Sequence, residues 1–229
     1  MTSIKVIIPA YNEEASITSV IRDIPEMVDE VIVVNNRSTD KTEKVAKQAG
    51  ATVLNEHRKG YGYACLKGME YIADQDKRPE VVVFLDGDYS DYPEELPKLV
   101  APILEDDVDL VIGARTKVLR AKNSMTPQQV FGNWLATTLM RLFFKANFTD
   151  LGPFRAIKYK KLLSLEMEDE TYGWTVEMQL KAIKKGLKYV EVPVKYRNRI
   201  GVSKVSGTVK GTIMAGIKIL GWIFKYSFK

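Results

Sequence analysis

Five short apolar runs in the first half of the chain constrain its fold more than any other feature. They are rich in β-branched residues and are continuously apolar, without the alternation of a strand that has one face in water. Such strands are buried on both faces, which is typical of a mainly parallel sheet covered by helices. The predicted strands read IKVIIP, EVIVV, ATVLN, VVVFL and DLVIGA. The sequence therefore predicts a doubly wound α/β fold.

Helical patterns separate these strands and dominate the second half of the chain. Those of the first half begin near Glu13, Thr39, Gly62 and Pro93. In the second of them, Ser38 and Thr39 are placed to cap the amino end, and Gly50 to end the helix. After Arg115 the alternation stops, and FGNWLATTLMRLFF and YGWTVEMQLKAIKKG have helical patterns. We expect one domain over residues 1–204, divided near residue 115, and a tail over 205–229.

Composition and charge limit the classes of partner and of catalytic site. The 45% hydrophobic and 28% charged residues are ordinary for a globular protein. The net charge of +5 favours anionic partners such as phosphates or an acidic membrane face. One cysteine, Cys65, excludes an internal disulfide, and one histidine, His57, excludes a multi-histidine metal site. The start MTSIKVIIPAYNEE lacks the features of a secretory signal, so we expect a cytoplasmic protein.

Two aspartates, Asp86 and Asp88, directly follow the strand VVVFL. Ligands of open parallel sheets bind beyond the carboxyl ends of the strands, which is where this pair falls. Two carboxylates on one short turn can share a divalent cation, and the alternative is a solvated turn. The chain has neither G-x-G-x-x-G after its first strand nor a G-x-x-x-x-G-K-[ST] loop. We therefore expect a metal, and no glycine-rich loop, to hold phosphates here.

Several ordered motifs resemble those of family 2 glycosyltransferases with the GT-A fold. They are IIPAYNEEASI, VVNNRSTDKT, FLDGDYSDYPEEL and VIGAR. FTDLGPFRAI and VPVKYRNRIGVSK are similar to the branch that makes dolichyl- and polyprenyl-phosphate sugars. The resemblance implies a nucleotide-sugar half at 1–115 and an acceptor half at 116–204. It also implies that Asp86 and Asp88 face Mg²⁺ or Mn²⁺ and the sugar diphosphate, and it excludes a nucleic-acid partner. The residues implied to line or support the nucleotide pocket are Pro9, Ala10, Tyr11, Glu13 and Asp40.

The chain departs from this family pattern at two places. Asn35 and Asn36 stand where many members have aspartates, and the second position commonly faces the base. An amide donates as well as accepts hydrogen bonds, so the resemblance leaves uracil and guanine both open. Ser90, with Asp91 beside it, stands where several relatives have glutamine, and either residue could complete the metal shell.

Cleavage of a sugar nucleotide leaves negative charge on the departing diphosphate, which a metal ion and basic side chains must offset. Candidates for the basic groups are Arg115, Arg199 and Lys204. A hydroxyl acceptor needs a base, such as Glu177 or Asp150. Glu177 could equally pair with Lys181 one helical turn away.

A lipid monophosphate is already a dianion near neutral pH and needs orientation instead of a base. For that acceptor, Asp150 and Arg155 match the acceptor motif, with Arg155 as a phosphate clamp. The apolar stretch 131–148 could then line the path of the lipid chain.

The tail KVSGTVKGTIMAGIKILGWIFKYSFK predicts an amphipathic helix that lies on a membrane surface without crossing it. Its uncharged runs between lysines are at most seven residues, far short of the roughly 20 that a span requires. On a helical projection the basic residues Lys204, Lys210, Lys218, Lys225 and Lys229 share one side. The apolar residues Val209, Ile213, Leu220, Ile223 and Phe224 gather on the other side. The alternative is that the apolar stripe packs on its own domain.

The leading hypothesis is an inverting, metal-dependent transferase that moves a sugar from a UDP- or GDP-linked donor to polyprenyl phosphate, on the cytoplasmic face of a membrane. A family 2 enzyme with a saccharide hydroxyl acceptor is the second hypothesis. A non-catalytic nucleotide-sugar sensor is the third, because of Asn35 and Asn36.

Overall fold

The computed structural model describes residues 2–201 and 209–227. Within them, seven strands form one sheet in the order β3-β2-β1-β4-β6-β5-β7. The strands are β1 Ile4–Ala10, β2 Glu30–Asn35, β3 Thr52–Asn55, β4 Val81–Phe84, β5 Leu110–Ala114, β6 Arg155–Lys158 and β7 Tyr189–Pro193. The helices are α1 Ile17–Arg22, α2 Thr42–Gln48, α3 Tyr61–Ala73, α4 Leu96–Glu105, α5 Pro127–Phe144, α6 Tyr159–Leu165, α7 Trp174–Lys184 and α8 Val209–Ser227. A 3₁₀ turn, Pro93–Glu95, leads into α4.

The five predicted strands are confirmed, and β1 to β4 pair in parallel as expected. The sheet as a whole is mixed, because β6 lies antiparallel between β4 and β5. Neither β6 nor β7 was predicted from the sequence. Both are short, and RAIK and YVEVP carry charged residues that hide the apolar pattern.

A hydrophobic core covers each face of the sheet, which confirms the doubly wound arrangement. The core on one face includes buried residues of α1, α2 and α4. The core on the other includes residues of α3, α5, α6, α7 and α8. Phe84 of β4 packs edge-on against Trp174 of α7, with ring centroids 5.7 Å apart. The strands are continuously apolar because both of their faces meet such a core.

The predicted cap of α2 is wrong, although the predicted end is correct. The helix begins at Thr42, and Ser38 and Thr39 instead bond to Asn12 in the loop after β1. Asp40 accepts the backbone N–H of Thr42. Gly50 follows the helix with φ +95°, a conformation that favours glycine.

The predicted C-terminal helix is present as α8, and no helix among the described residues has the length and apolarity to cross a bilayer. It packs against α5 and α7 through Trp222 and Ile223, which are buried. Lys218 and Lys225 pair with Asp169 and Glu168 of the domain.

The predicted basic and apolar faces of α8 are only partly as expected. Lys204, Lys229 and the 204/205 boundary lie outside the described residues, as do the side chains of Val209 and Lys210. Within the described part, Ile223 faces the core, whereas Ile213 and Phe224 are exposed. The side of the helix that meets the domain therefore carries both lysines and apolar residues.

Gly62 lies where α3 meets the loop that precedes α7, and an alanine Cβ there would fall 1.9 Å from the carbonyl oxygen of Asp169. We expect Gly62→Ala to lower the free energy of unfolding by about 1–3 kcal/mol, because backbone must move to make room. Gly132→Ala in α5 is the matched control, since its Cβ would meet nothing within 4 Å. It should stabilise by about 0.5–1 kcal/mol. Urea unfolding measures both, and equal effects would contradict the contact.

Candidate active site

A cavity of about 740 Å³ opens at the carboxyl ends of β1, β2, β4 and β5. Parallel strands bring their carboxyl ends to one edge of the sheet, so loops far apart in sequence meet there. Nine of the residues predicted for the site line this cavity. They are Pro9, Ala10, Tyr11, Glu13, Asn36, Asp86, Asp88, Arg115 and Arg199.

Asp86 and Asp88 form the acidic centre of the cavity. Burial, and then the negative charge of Asp88, raise the pKa of Asp86 to about 7. The Tyr61 hydroxyl donates to Asp86 at 3.1 Å. Asp88 accepts from the backbone N–H of Ser90 at 2.9 Å and from its hydroxyl.

Among the described residues no group of three or more His, Cys, Asp or Glu side chains is placed to hold a metal ion. Within the part of the chain that the structure describes, Asp86 and Asp88 are the candidate metal ligands that line the cavity. Two carboxylates that repel each other, supplemented by phosphate oxygens and water, are the ligand set by which proteins commonly bind Mg²⁺.

Asp91 is a buried carboxyl beside this pair, and neither of its oxygens has a hydrogen-bond partner among the described residues. Burial, and then the charges of Asp86 and Asp88, raise the pKa of Asp91 well above its ordinary value. Ser90, the other residue considered for the metal shell, directs its hydroxyl to Asp88.

The segment after β7 holds the turn that carries Asp88. The backbone N–H of Ile200 donates to the Asp88 carbonyl at 3.0 Å, and that of Arg197 donates to the Ser90 carbonyl at 2.9 Å. The Arg197 guanidinium lies 3.4 Å over the Tyr89 ring and donates to the Tyr89 carbonyl. Tyr89 has φ +63°, which is uncommon for a residue other than glycine, so these contacts hold a strained turn. Sequence reasoning had not singled out Arg197.

Three basic side chains reach the cavity wall. Arg199 lies 3.1 Å from Asp88 and 3.4 Å from Glu13. Arg115 contacts the ring of Tyr196 from 5.2 Å. Lys59, which the sequence analysis missed, lies 5.1 Å over the Tyr11 ring. Little in the sequence indicated Lys59, because the motif HRKG that contains it is typical of solvent-exposed basic loops. Lys204 lies outside the described residues.

Asp150 is engaged by Arg115, contrary to its expected role as a base. Its two oxygens accept from the Arg115 guanidinium at 2.8 and 2.6 Å, and one also accepts the Arg115 backbone N–H. The carboxylate is buried and does not line the cavity. It therefore positions Arg115.

The structure places Arg155 and Glu177 away from the cavity wall. Arg155 is fully buried, and its guanidinium donates to the carbonyls of Leu151, Gly152 and Thr175, so it is not available to clamp a phosphate. Glu177 is fully buried and pairs with Lys181 at 2.7 Å, which is the alternative that its spacing offered. It also accepts the backbone N–H groups of residues 168 and 169. Arg155 thus joins the loop before β6 to α7, and Glu177 joins the loop before α7 to that helix.

Asn36 lines the cavity, but its amide is used by the neighbouring loop. It donates to the carbonyl of Arg58 at 2.6 Å and accepts the backbone N–H of Gly60 at 2.9 Å. These bonds place Lys59 and Gly60 on the cavity wall. Asp40, which does not line the cavity, accepts the backbone N–H of Glu14 and so joins the loop after β1 to α2.

Two helices contribute apolar side chains to the cavity wall. Phe131 and Leu135 come from α5, and Ile219 and Leu220 come from α8. Part of the stretch 131–148 therefore lines the cavity, and its role as a lipid path stays a prediction. Helix α8 contributes to the cavity wall because it packs against α5. The hydrophobic pattern of the tail did not indicate α5 as its partner.

The sequence profile described as Glycosyl transferase family 2 matches residues 5–164. The chain belongs to this family. An uncharacterized glycosyltransferase of Mycobacterium tuberculosis is 35% identical over 216 residues, covering 93% of this chain and 94% of its own. The undecaprenyl-phosphate mannosyltransferase of Micrococcus luteus is 30% identical, covering 92% of this chain and 90% of its own. This family 2 protein is therefore a glycosyltransferase with a nucleotide-sugar-binding fold.

Solved structures confirm the GT-A fold. Glucosyl-3-phosphoglycerate synthase from Mycobacterium tuberculosis, crystallised with Mn²⁺, uridine diphosphate and phosphoglyceric acid, superimposes with a TM-score of 0.80. It is 23% identical, and the match covers 99% of this chain and 78% of that one. The match to the family profile confirms the resemblance to family 2 glycosyltransferases inferred from the motifs.

The buried charge of Asp86 predicts a pH-dependent stability. Its pKa is raised in the folded protein from 3.8 to about 7, so the folded state is favoured by the bound proton at low pH. That contribution is lost as the pH rises from about 4 through about 7. In metal-free buffer, Asp86→Asn should therefore gain stability relative to the wild type between about pH 5 and pH 8, on the order of 1–4 kcal/mol.

Chemical denaturation at both pH values measures this difference. Asp107→Asn is the control, because Lys158, and then Lys188, lower the pKa of that exposed carboxyl to about 2. The free energy of unfolding of the control, relative to the wild type, should not change between about pH 5 and pH 8. An Asp86→Asn curve parallel to that of the wild type would contradict a buried charge.

Proposed function

We propose that this protein transfers a sugar, with inversion, from a nucleoside diphosphate to a polyprenyl phosphate, and that Asp86 and Asp88 hold Mg²⁺ or Mn²⁺ with the donor. The observation that carries the proposal is the form of the cavity. Its wall combines acidic and basic side chains from the loops after β1, β4 and β5 with apolar side chains from α5 and α8. A prenyl chain with a phosphate head has the same combination.

Donor binding is proposed at the charged part of the wall, between Tyr11, Lys59 and the Asp86/Asp88 pair. The bound cation supplies a Lewis acid that offsets the charge growing on the leaving diphosphate. Arg199, which pairs with Asp88 and Glu13, and Arg115, which Asp150 holds, add positive charge to the same part of the wall. The Mn²⁺, Mg²⁺ and uridine diphosphate bound by the synthase support this assignment.

The acceptor is proposed to be a phosphate because the described cavity wall offers no spare base. Its carboxylates are Glu13, Asp86 and Asp88, of which the first pairs with Arg199 and the other two are the metal pair. Asp150 and Glu177 are bound by Arg115 and Lys181. A phosphate dianion attacks without losing a proton, so it needs only orientation and neutralisation.

Two relatives support different acceptors. The mannosyltransferase of Micrococcus luteus acts, by its name, on undecaprenyl phosphate, which favours the lipid. Glucosyl-3-phosphoglycerate synthase binds phosphoglyceric acid, which favours a small phosphorylated acceptor. An apolar wall has no role in binding the second, so the lipid is preferred.

The metal assignment predicts that Asp88→Asn removes catalysis while the fold remains. Asparagine keeps an oxygen for the Ser90 bonds but loses the charge that attracts the cation. We expect kcat to fall by about a hundredfold or more, and Mn²⁺-dependent binding of uridine or guanosine diphosphate to be lost in calorimetry. Asp107→Asn, at an exposed surface site, is the control. Normal turnover of Asp88→Asn, or of the wild type in excess chelator, would exclude this metal site.

The acceptor assignment predicts that polar substitutions in the apolar wall affect the lipid substrate alone. Leu135→Gln combined with Leu220→Gln should raise KM for a long-chain polyprenyl phosphate by about tenfold or more, because each buries a polar amide against the chain. The Kd of the nucleotide should not change. The assay follows radiolabelled sugar into an organic-extractable, acid-labile product. Transfer to phosphoglycerate or a saccharide hydroxyl, with no lipid product, would overturn the proposal.

A further inference from the structure

Two neighbouring helices, α5 and α8, expose an unusual amount of apolar surface. Among their described residues, eight large apolar side chains are between 43% and 71% exposed, and six of the eight lie on one stripe of each helix. These six are Phe131, Trp134 and Leu142 of α5, and Ile213, Ile217 and Phe224 of α8. We call these six side chains the α5–α8 face. Exposed apolar groups gathered in this way mark a surface that is covered by a partner.

The side chains of the α5–α8 face lie close together. On each helix they follow helical spacing, so they form one stripe per helix. Phe224 of α8 packs edge-on against Phe143 of α5, with ring centroids 6.0 Å apart, which joins the two helices at this end. The same helices also line the cavity, with Phe131 both in its wall and on the face.

The charged residues of the two helices have one sign. Helices α5 and α8 contain four Lys and Arg, namely Arg141, Lys210, Lys218 and Lys225. Neither helix contains an Asp or Glu. The carboxylates that approach α8 from the domain, Glu168 and Asp169, pair with Lys225 and Lys218. Apolar side chains within a basic surrounding are the combination by which interfacial helices bind anionic lipid.

We infer that the α5–α8 face docks on an anionic lipid bilayer and brings the apolar part of the cavity wall to the membrane. The surface that meets the lipid is the pair of helices. This docking surface differs from the one predicted for the tail, in which the basic side of the helix meets the membrane. Lys218 and Lys225 pair with Asp169 and Glu168 of the domain. Ile213, Ile217 and Phe224 are the exposed side chains of α8 on this face. The inference rests on the surface itself and extends the proposed function, since a polyprenyl phosphate reaches the enzyme from a bilayer.

The test is flotation of the full chain with vesicles of phosphatidylcholine, with or without phosphatidylglycerol. The wild type should bind the anionic vesicles at low salt and be released in about 1 M salt, where the Debye length is about 3 Å. Trp134→Glu combined with Ile217→Glu should lower the partition coefficient by about tenfold or more, because both place charge in the apolar layer. Neither side chain lines the cavity.

Leu104→Glu combined with Met27→Glu is the matched control, since these residues are 45% and 39% exposed but lie outside both helices. It should bind vesicles like the wild type. No flotation of the wild type, or an equal loss in the control, would overturn the inference. So would a wild-type dimer that the Trp134/Ile217 variant dissociates in sedimentation velocity, because the face would then be a subunit interface.

A water-soluble, short-chain prenyl phosphate in vesicle-free buffer separates this inference from the proposed function. The Trp134/Ile217 variant should turn over that acceptor at the wild-type rate. If neither protein transfers sugar to any prenyl phosphate, the proposed acceptor is wrong, and the flotation result still decides whether the face binds lipid.

Discussion

The repulsion between Asp86 and Asp88 is the interaction around which the site is organised. The buried end of β4 places both carboxylates at the floor of the cavity, where burial raises the pKa of the first to about 7. Tyr61, Ser90 and Arg199 each contact one of the pair. The segment after β7 holds the turn itself through Arg197 and Ile200. Much of the second half of the chain thus supports a charge arrangement that the first half creates, as expected where perturbed carboxyls serve a function.

Several charged residues beside the cavity act through other residues. Asp150 holds Arg115, and Asn36 fixes the loop that carries Lys59. Asp169 accepts the indole N–H of Trp222 at 2.6 Å and also accepts backbone N–H groups of its own loop. That loop lies against α3, where it leaves no room for a side chain at Gly62. Helix α8 is therefore attached to a loop of the cavity wall, so its position and the shape of the apolar wall depend on each other.

The cavity and the exposed apolar face place two kinds of chemistry on one molecule. The charged part of the cavity wall suits a nucleotide diphosphate, and the apolar part comes from the helices that carry the exposed face. These two helices carry Lys and Arg residues but no Asp or Glu. In the proposed function, a soluble donor and a lipid acceptor would then reach the cavity by different routes.

The sequence by itself determined the strands β1 to β5, the position of the aspartate pair and the family. These depend on short-range patterns: a strand buried on both faces is apolar throughout, and the loop after it lies at the ligand-binding edge. Tertiary structure alone decided the insertion of β6 between β4 and β5, the partners of Asp150, Arg155 and Asn36, and which side of α8 is exposed. The partner of a charged or amide side chain is whatever lies opposite it in space. For Arg115 and Asp150 that group is 35 residues away, and for Asp169 and Trp222 it is 53. Local spacing carries no information over such distances, so only the packed fold separates groups that face the substrate from those that hold them in place.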